Sequence, residues 1–333
     1  MKKYKKILII AEAGVNHNGN LNYAKKLALN AKKAGADIIK FQTYNTSKLV
    51  TKDAKLAIYQ KKNTNNRFSS QFNLLKKYEL SKKQFINLKL FCDKIGIEFL
   101  SSPFDLESLD FLIKLKVKKI KIPSGEITNY QLLNKIKKSK KPVILSTGMS
   151  TVKEIQDAVK ILGKKKLTLL HCNSSYPTPP KDVNLNSIIY LAKKFKLPIG
   201  YSDHTLGFEV SLAAATLGSV VIEKHFTLNK QYKGPDHLVS LDTKEFKNMI
   251  TCIRNIEKSL GNKNKTVTKS ERGNIKIVRK SLFAKNKILK GEIFTLNNLT
   301  AKRPGTGISP MKIKKILGKK SKKDFEKDEL III

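Results

Sequence analysis

The stretch Ile7-Leu8-Ile9-Ile10-Ala11-Glu12-Ala13-Gly14 decides how the chain is read. It is apolar almost throughout and turns polar only near its end. Such a run suits a strand buried on both faces, as in a parallel sheet. Seven further runs of the same character follow, at residues 37–44, 98–103, 119–124, 142–148, 167–173, 198–204 and 220–228. Helical periodicity fills the gaps. Leu21–Ala34 and residues 151–162 repeat every 3.6 residues, and Ser150 or Thr151 can cap the second. Gly35 and Gly96 stand where a helix should stop and a strand begin. Eight alternating units over about 250 residues predict an α/β fold, a (β/α)8 TIM barrel. A doubly wound open sheet is the second architecture. The one long β/α connection, residues 45–80, is polar and is expected to be an active-site loop.

The pattern changes after Leu260. The barrel is assigned residues 1–260, a polar linker 261–277, and a small separate domain 278–333. That last segment has short runs such as Ser281-Leu282-Phe283-Ala284 and turn signals at Lys290-Gly291 and Pro304-Gly305-Thr306-Gly307. It is below the usual size for comfortable independent stability and is expected to dock on something.

Composition narrows the function classes. No apolar run approaches the about 18 residues of a membrane span. The basic start Met1-Lys2-Lys3-Tyr4-Lys5-Lys6 imitates a signal peptide, but the apolar run behind it is too short and meets Glu12, Asn16 and His17. It reads as a surface stub. Three widely spaced cysteines, Cys92, Cys172 and Cys252, argue against a disulfide framework or structural zinc and suit a reducing cytoplasm. Cys172 is expected in the core. The net charge of +41 suggests a polyanion partner. Against that, the lysines are scattered, and only Arg67, Arg254, Arg272, Arg279 and Arg303 among 67 basic residues carry the fork that phosphate and base readers favour. A lysine-rich background explains the charge better than a specific nucleic-acid partner.

What ends each run carries the chemistry. The polar groups are, in strand order, Glu12 with Asn16-His17; Lys40 and Gln42; Ser101-Ser102; Lys121 with Ser124-Gly125-Glu126; Ser146-Thr147-Gly148; His171, Asn173 and Tyr176; Ser202-Asp203-His204; and Glu223-Lys224-His225. Any one alone reads as a turn or cap. All eight sets together predict one polar mouth. Lys40, Lys121 and the hydroxyls beside glycines make a phosphate cradle. His204 and His225, on successive strands, are candidate ligands of one divalent ion, Mn²⁺ or Mg²⁺ in oxygen-rich surroundings without thiolates.

In order along the chain, Ala11-Glu12-Ala13-Gly14-Val15-Asn16-His17-Asn18-Gly19, Lys40-Phe41-Gln42-Thr43, Ser102-Pro103-Phe104, Lys121-Ile122-Pro123-Ser124-Gly125-Glu126, Ser146-Thr147-Gly148-Met149, Tyr176-Pro177-Thr178-Pro179, Ser202-Asp203-His204-Thr205, Glu223-Lys224-His225-Phe226-Thr227, Gly234-Pro235-Asp236-His237, Arg279-Lys280-Ser281 and Lys302-Arg303-Pro304-Gly305 resemble the sialic acid synthase family over nearly the whole length. Ala13 departs from the larger aliphatic residue usual there. The resemblance implies a barrel followed by an antifreeze-like (SAF, β-clip-like) domain. It implies N-acetylneuraminate synthase activity, in which phosphoenolpyruvate condenses with N-acetylmannosamine and phosphate is released. The alternative is N,N'-diacetyllegionaminate synthase, which takes 2,4-diacetamido-2,4,6-trideoxymannose. Residues 54–63 do not decide between them.

By the same resemblance, Lys40, Ser102, Lys121, Ser124, Ser146, Ser202 and either Asn173 or Ser174 hold phosphoenolpyruvate. Glu12, Gln42, Tyr176 and Asp236 hold the sugar. Glu126 handles the water or a proton, and His204 and His225 bind a Mn²⁺, Mg²⁺ or Co²⁺ cofactor. Catalysis is thereby assigned to Glu126, His204, His225 and Lys121. A domain-swapped homodimer is also implied, with Arg303 of one chain reaching the sugar in the other. A nucleic-acid-binding protein and a catalytically dead barrel are the competing classes. The first lacks a recognition motif, and the second would not need every strand-end group.

Overall fold

The computed structural model describes residues 6–261 and 263–333. Apart from Lys6, the basic stub expected ahead of the first strand lies outside the described residues. The chain divides after Gly261 into two compact units.

The first unit holds eight parallel strands: β1 (Leu8–Gly14), β2 (Ile38–Thr43), β3 (Glu98–Pro103), β4 (Ile120–Ile122), β5 (Val143–Ser146), β6 (Leu167–Cys172), β7 (Ile199–Asp203) and β8 (Val221–His225). Their order in the sheet is β3-β2-β1-β8-β7-β6-β5-β4. The two ends of that order, β3 and β4, lie against each other, so the ring is nearly closed. It is the expected barrel and not the open sheet. Helices cover the outside. Leu21–Ala34 starts at Asn20, whose side chain accepts from the amides of Asn22 and Tyr23. It stops at Gly35, where φ is 96° and a side chain would be strained. Thr151 and Glu154 cap the helix Val152–Leu162 reciprocally.

Side chains alternate along a strand, and the inward positions form layers. The lower layer is an apolar plug of Ile10, Ile38, Leu100, Ile144, Leu170 and Val221. Gly200 completes it by absence, because a Cβ there would lie 2.6 Å from both Leu170 Cδ2 and the Val221 carbonyl. Two residues further along each strand the interior turns polar: Glu12, Lys40, Ser102, Ser146, Cys172, Ser202 and Glu223. Register pairs Glu12 with Lys40 and Ser202 with Cys172 and Glu223, while between β1 and β8 and between β2 and β3 the polar positions are staggered by two residues, Glu12 meeting His225 and Ser102 meeting Gln42. A much larger apolar shell fills the space between strands and helices.

The excursion after β2 is ordered rather than a plain loop. It contains the short helices Thr46–Leu49, Ile58–Asn63 and Gln71–Tyr78, folded over a cluster of Val15, Tyr44, Leu56, Leu74 and Tyr78. The second unit pairs β9 (Ser281–Ala284) antiparallel with β10 (Leu299–Lys302) over a small core that includes Leu282, Ile288, Phe294, Phe325 and Ile331. The segment read as a linker carries the helix Arg272–Val278. Among the described residues no helix is long and apolar enough to cross a membrane.

One outward-facing charge is fully enclosed. Lys224 pairs with Asp203 at 3.2 Å and donates to the Thr205 carbonyl at 2.6 Å. Asp203 also accepts from the Thr205 amide and the Ser211 hydroxyl. Removing one partner of a buried pair leaves an uncompensated charge. Asp203→Ala should therefore lower unfolding stability by about 3–5 kcal/mol, read from urea denaturation. A loss below about 1 kcal/mol, the range of an exposed pair, would contradict this reading.

Candidate active site

The polar layer floors a cavity of about 460 Å³ at the C-terminal ends of the strands. Four buried charges organise it. Lys40 Nζ lies 2.7 Å from Glu12 Oε2 and 3.8 Å from Glu223 Oε1. Lys121 Nζ lies 3.3 Å from Glu223 Oε1 and donates to Ser146 Oγ at 2.8 Å. Ser202 donates to the same glutamate oxygen at 3.0 Å. Burial would raise the Glu223 carboxyl, but Lys121 and Lys40 outweigh it and hold the group below its ordinary value. Burial likewise pulls Lys40 down, and the two glutamates more than reverse it. The other Glu12 oxygen, Oε1, accepts from Gln42 Nε2 at 3.4 Å, and Glu223 Oε2 is buried without a hydrogen-bond partner.

Beside this floor the chain makes a cradle. The Gly148 amide donates to Ser124 Oγ at 2.9 Å. A Cβ at 148 would lie 2.4 Å from Ser174 Oγ and 2.8 Å from Ser124 Oγ, so only glycine lets backbone and hydroxyls converge. Glu126, on the turn after β4, accepts from Asn129 Nδ2 at 2.7 Å. Burial pushes its carboxyl above the ordinary value, and the Asn129 bond opposes that.

The two histidines lie side by side, ring centroids 5.4 Å apart. His204 Nδ1 donates to the Asn173 carbonyl at 2.5 Å, which leaves Nε2 to face the site, 3.5 Å from Ser202 Oγ. His225 Nδ1 is buried without a partner. Burial, reinforced by His204, holds His225 well below its ordinary value and so neutral. Two adjacent ring nitrogens, His204 Nε2 and the orphaned His225 Nδ1, fit a divalent ion with open positions. Among the described residues no group of three or more His, Cys, Asp or Glu side chains gathers as a closed metal site. Tyr176 stacks on His204 at 4.2 Å and meets His225 edge-on.

An adjoining recess of about 80 Å³ is lined by Gln42, Tyr59, Gln60, Tyr176, His225 and Asp236. Burial, helped by the Glu12 carboxylate, pushes Asp236 up to about 7. Its loop is tied down through His237, which bonds Thr227 at 2.7 Å and Asn18 at 3.2 Å.

The cavity and recess thus gather Glu12, Lys40, Gln42, Ser102, Lys121, Ser124, Glu126, Ser146, Ser174, Tyr176, Ser202, His204, His225 and Asp236. Three expectations need correction. Asn173 does not face the cavity: its amide donates to the Asp182 carbonyl and its oxygen accepts from the Ser175 amide, so Ser174 is the one beside the cradle. His171 turns outward to the Val183 carbonyl at 2.7 Å. Cys172, expected in the core, lines the cavity with its thiol 3.5 Å from Ser124 Oγ. Strand parity could have foreseen all three, since Leu170 and Cys172 share the inner face. Arg303 belongs to the second unit, where its Nε donates to the Val278 carbonyl at 2.9 Å. Glu223 had no assigned role, and Tyr59 and Gln60 carried no motif.

Known proteins resemble the chain throughout. The NeuB family matches residues 27–265 and the SAF domain residues 279–331. An N,N'-diacetyllegionaminic acid synthase of Campylobacter jejuni is 52% identical over 98% of this chain and 99% of that protein. One of the same name from Legionella pneumophila is 45% identical over 93% and 89%. The crystal structure of an N-acetylneuraminic acid (sialic acid) synthetase from Leptospira borgpetersenii, in complex with citrate, superposes with a TM-score of 0.71 at 38% identity, covering 81% of this chain and 90% of that one.

Proposed function

The chain belongs to the NeuB family and carries a SAF domain that follows the barrel in sequence, and from that premise we propose that it condenses phosphoenolpyruvate with 2,4-diacetamido-2,4,6-trideoxymannose, releasing phosphate. The observation that carries the reaction class is the floor of two lysines and two glutamates beside the Gly148 cradle. It offers fixed cations, hydroxyls and a backbone approach to a small, multiply charged anion. For the acceptor, the support comes from the two relatives named for diacetyllegionaminic acid and from the lining. The excursion after β2 contributes Leu49, Val50, Ala57 and Leu75, with the amides of Gln60 and Gln71. A methyl and an acetamido group suit that wall better than hydroxyls do. N-acetylmannosamine, the acceptor first expected, is the second reading, favoured by the likeness to the Leptospira protein.

In this reading Lys40, Lys121, Ser102, Ser124, Ser146, Ser174 and Ser202 hold phosphoenolpyruvate. Glu12, Gln42, Tyr176 and Asp236 hold the open-chain sugar with its aldehyde carbon facing carbon 3 of phosphoenolpyruvate. His204 and His225 would hold a divalent ion, Mn²⁺ or else Mg²⁺ or Co²⁺, whose chemistry when bound is Lewis-acid polarisation of an aldehyde oxygen. The electron pair of the carbon 2–carbon 3 double bond forms a bond from carbon 3 to the aldehyde carbon, and the carbonyl π pair moves to the aldehyde oxygen, which takes up a proton to become the product hydroxyl. Water adds at carbon 2 and Glu126 takes its proton, a task suited to a carboxyl that burial raises above its ordinary value. The carbon–oxygen bond to phosphate then breaks. The proposal keeps the homodimer, with Arg303 of the partner chain contacting the acceptor.

Two measurements test this. Phosphate release with each sugar, at saturating phosphoenolpyruvate and Mn²⁺, should give a higher kcat/KM for the diacetamido sugar. Preference for N-acetylmannosamine would instead support the second reading. Mixing Glu126→Gln chains with Arg303→Ala chains should restore about a quarter of parental activity, because half the dimers are mixed and one of their two mouths is complete. No recovery on mixing would mean that Arg303 does not act across chains.

A further inference from the structure

The excursion after β2 reaches the cavity through one ring. Tyr59, on the short helix Ile58–Asn63, stacks on Tyr176 with centroids 4.7 Å apart and planes 30° from parallel. Tyr176 in turn stacks on His204 at 4.2 Å. Three rings thus form a column from the excursion to a histidine at the centre of the site. Without Tyr59 the Tyr176 ring would keep only its stack on His204 and its edge contact with His225.

Side-chain bonds tie the helix that presents Tyr59 to its surroundings. Gln60 Oε1 accepts from the Ala57 amide at 2.9 Å and from Gln71 Nε2 at 3.4 Å. Asn63 Nδ2 donates to the Pro235 carbonyl at 2.7 Å, one residue before Asp236. The preceding Ile58 is 88% exposed and adds no packing. The same short element therefore sets the Tyr59 ring and ties the β2 excursion to the loop bearing Asp236. Tyr59, Gln60 and Asp236 line one recess.

We propose that Tyr59 is a positioning and specificity-determining residue: it fixes Tyr176 against His204 and presents its own ring edge to the apolar end of the acceptor sugar. This rests on the condensation reading above. Hydroxyl-rich acceptors gain little from a ring edge, whereas a methyl or acetamido group gains apolar contact. Tyr59 therefore acts on acceptor affinity and choice, and leaves phosphoenolpyruvate, held by the lysine floor, unaffected.

The test is steady-state kinetics of Tyr59→Ala, Tyr59→Leu and Tyr59→Phe with both sugars, with Ile58→Ala as control. Melting curves with and without phosphoenolpyruvate provide a readout independent of turnover. In Tyr59→Ala the acceptor KM should rise about fivefold or more, in line with the loss of an aromatic pair. Its preference between the two sugars should shrink. The KM for phosphoenolpyruvate and the rise in Tm that it causes should stay at the parental values. Tyr59→Phe should restore both KM and preference, and Ile58→Ala should change neither. Should Tyr59→Ala fail to fold, Tyr59→Leu keeps bulk without stacking and gives the same comparison. An active parent whose folded Tyr59 variants keep acceptor KM and preference would overturn this assignment alone. A parent inert towards both sugars would overturn the condensation reading and this assignment with it.

Discussion

Everything at the barrel mouth depends on a buried balance of charge. Glu12 holds Lys40, and Glu223 lies between Lys40 and Lys121. Ions enclosed like this cost several kcal/mol each in lost hydration, and their mutual attraction returns that only where geometry and hydrogen bonds are good. Replacing the set by apolar side chains would make an easier core, and the plug one layer below is such a core. The barrel can hold the ions because eight strands fix their spacing in register. The arrangement keeps two ammonium groups at the floor of a cavity whose nearest neutral groups include the hydroxyls of Ser102, Ser124, Ser146 and Ser202.

The rest of the site follows from strand parity and from where the loops begin. The inward positions switch from apolar to polar in a single two-residue step, so the chemistry sits directly on the packed plug. Position 148 needs glycine because serine hydroxyls close in on it. The histidines stand a step higher, one oriented by a backbone carbonyl and the other with a free nitrogen. Loops from β2 and β8 then form the outer wall, joined where Asn63 meets Pro235.

Most of this was legible in the sequence. Unbroken apolar runs ending in polar groups gave the barrel and its mouth, because parallel strands buried on both faces leave that pattern. Alternation was read too loosely within β6: His171 and Asn173 flank the inward Cys172, and only one parity can face the mouth. Glu223 went without a role because its importance lies in three partners on β2, β4 and β7, far away in sequence. Tyr59 was illegible for the same reason, since stacking on Tyr176 depends on how an irregular excursion folds back.

The charge of +41 bears on the central claim. Surface lysines attract any anion, but that attraction is screened within about 10 Å at 0.1 M salt, whereas enclosed ions are screened far less. Calorimetric titration of the chain with phosphoenolpyruvate, between about 0.05 and 0.5 M salt, separates the two. The enclosed floor predicts one molecule bound per chain, an affinity that changes little with salt, and loss of binding in a folded Lys121→Met variant. Several molecules bound per chain, released by salt and retained by Lys121→Met, would contradict it.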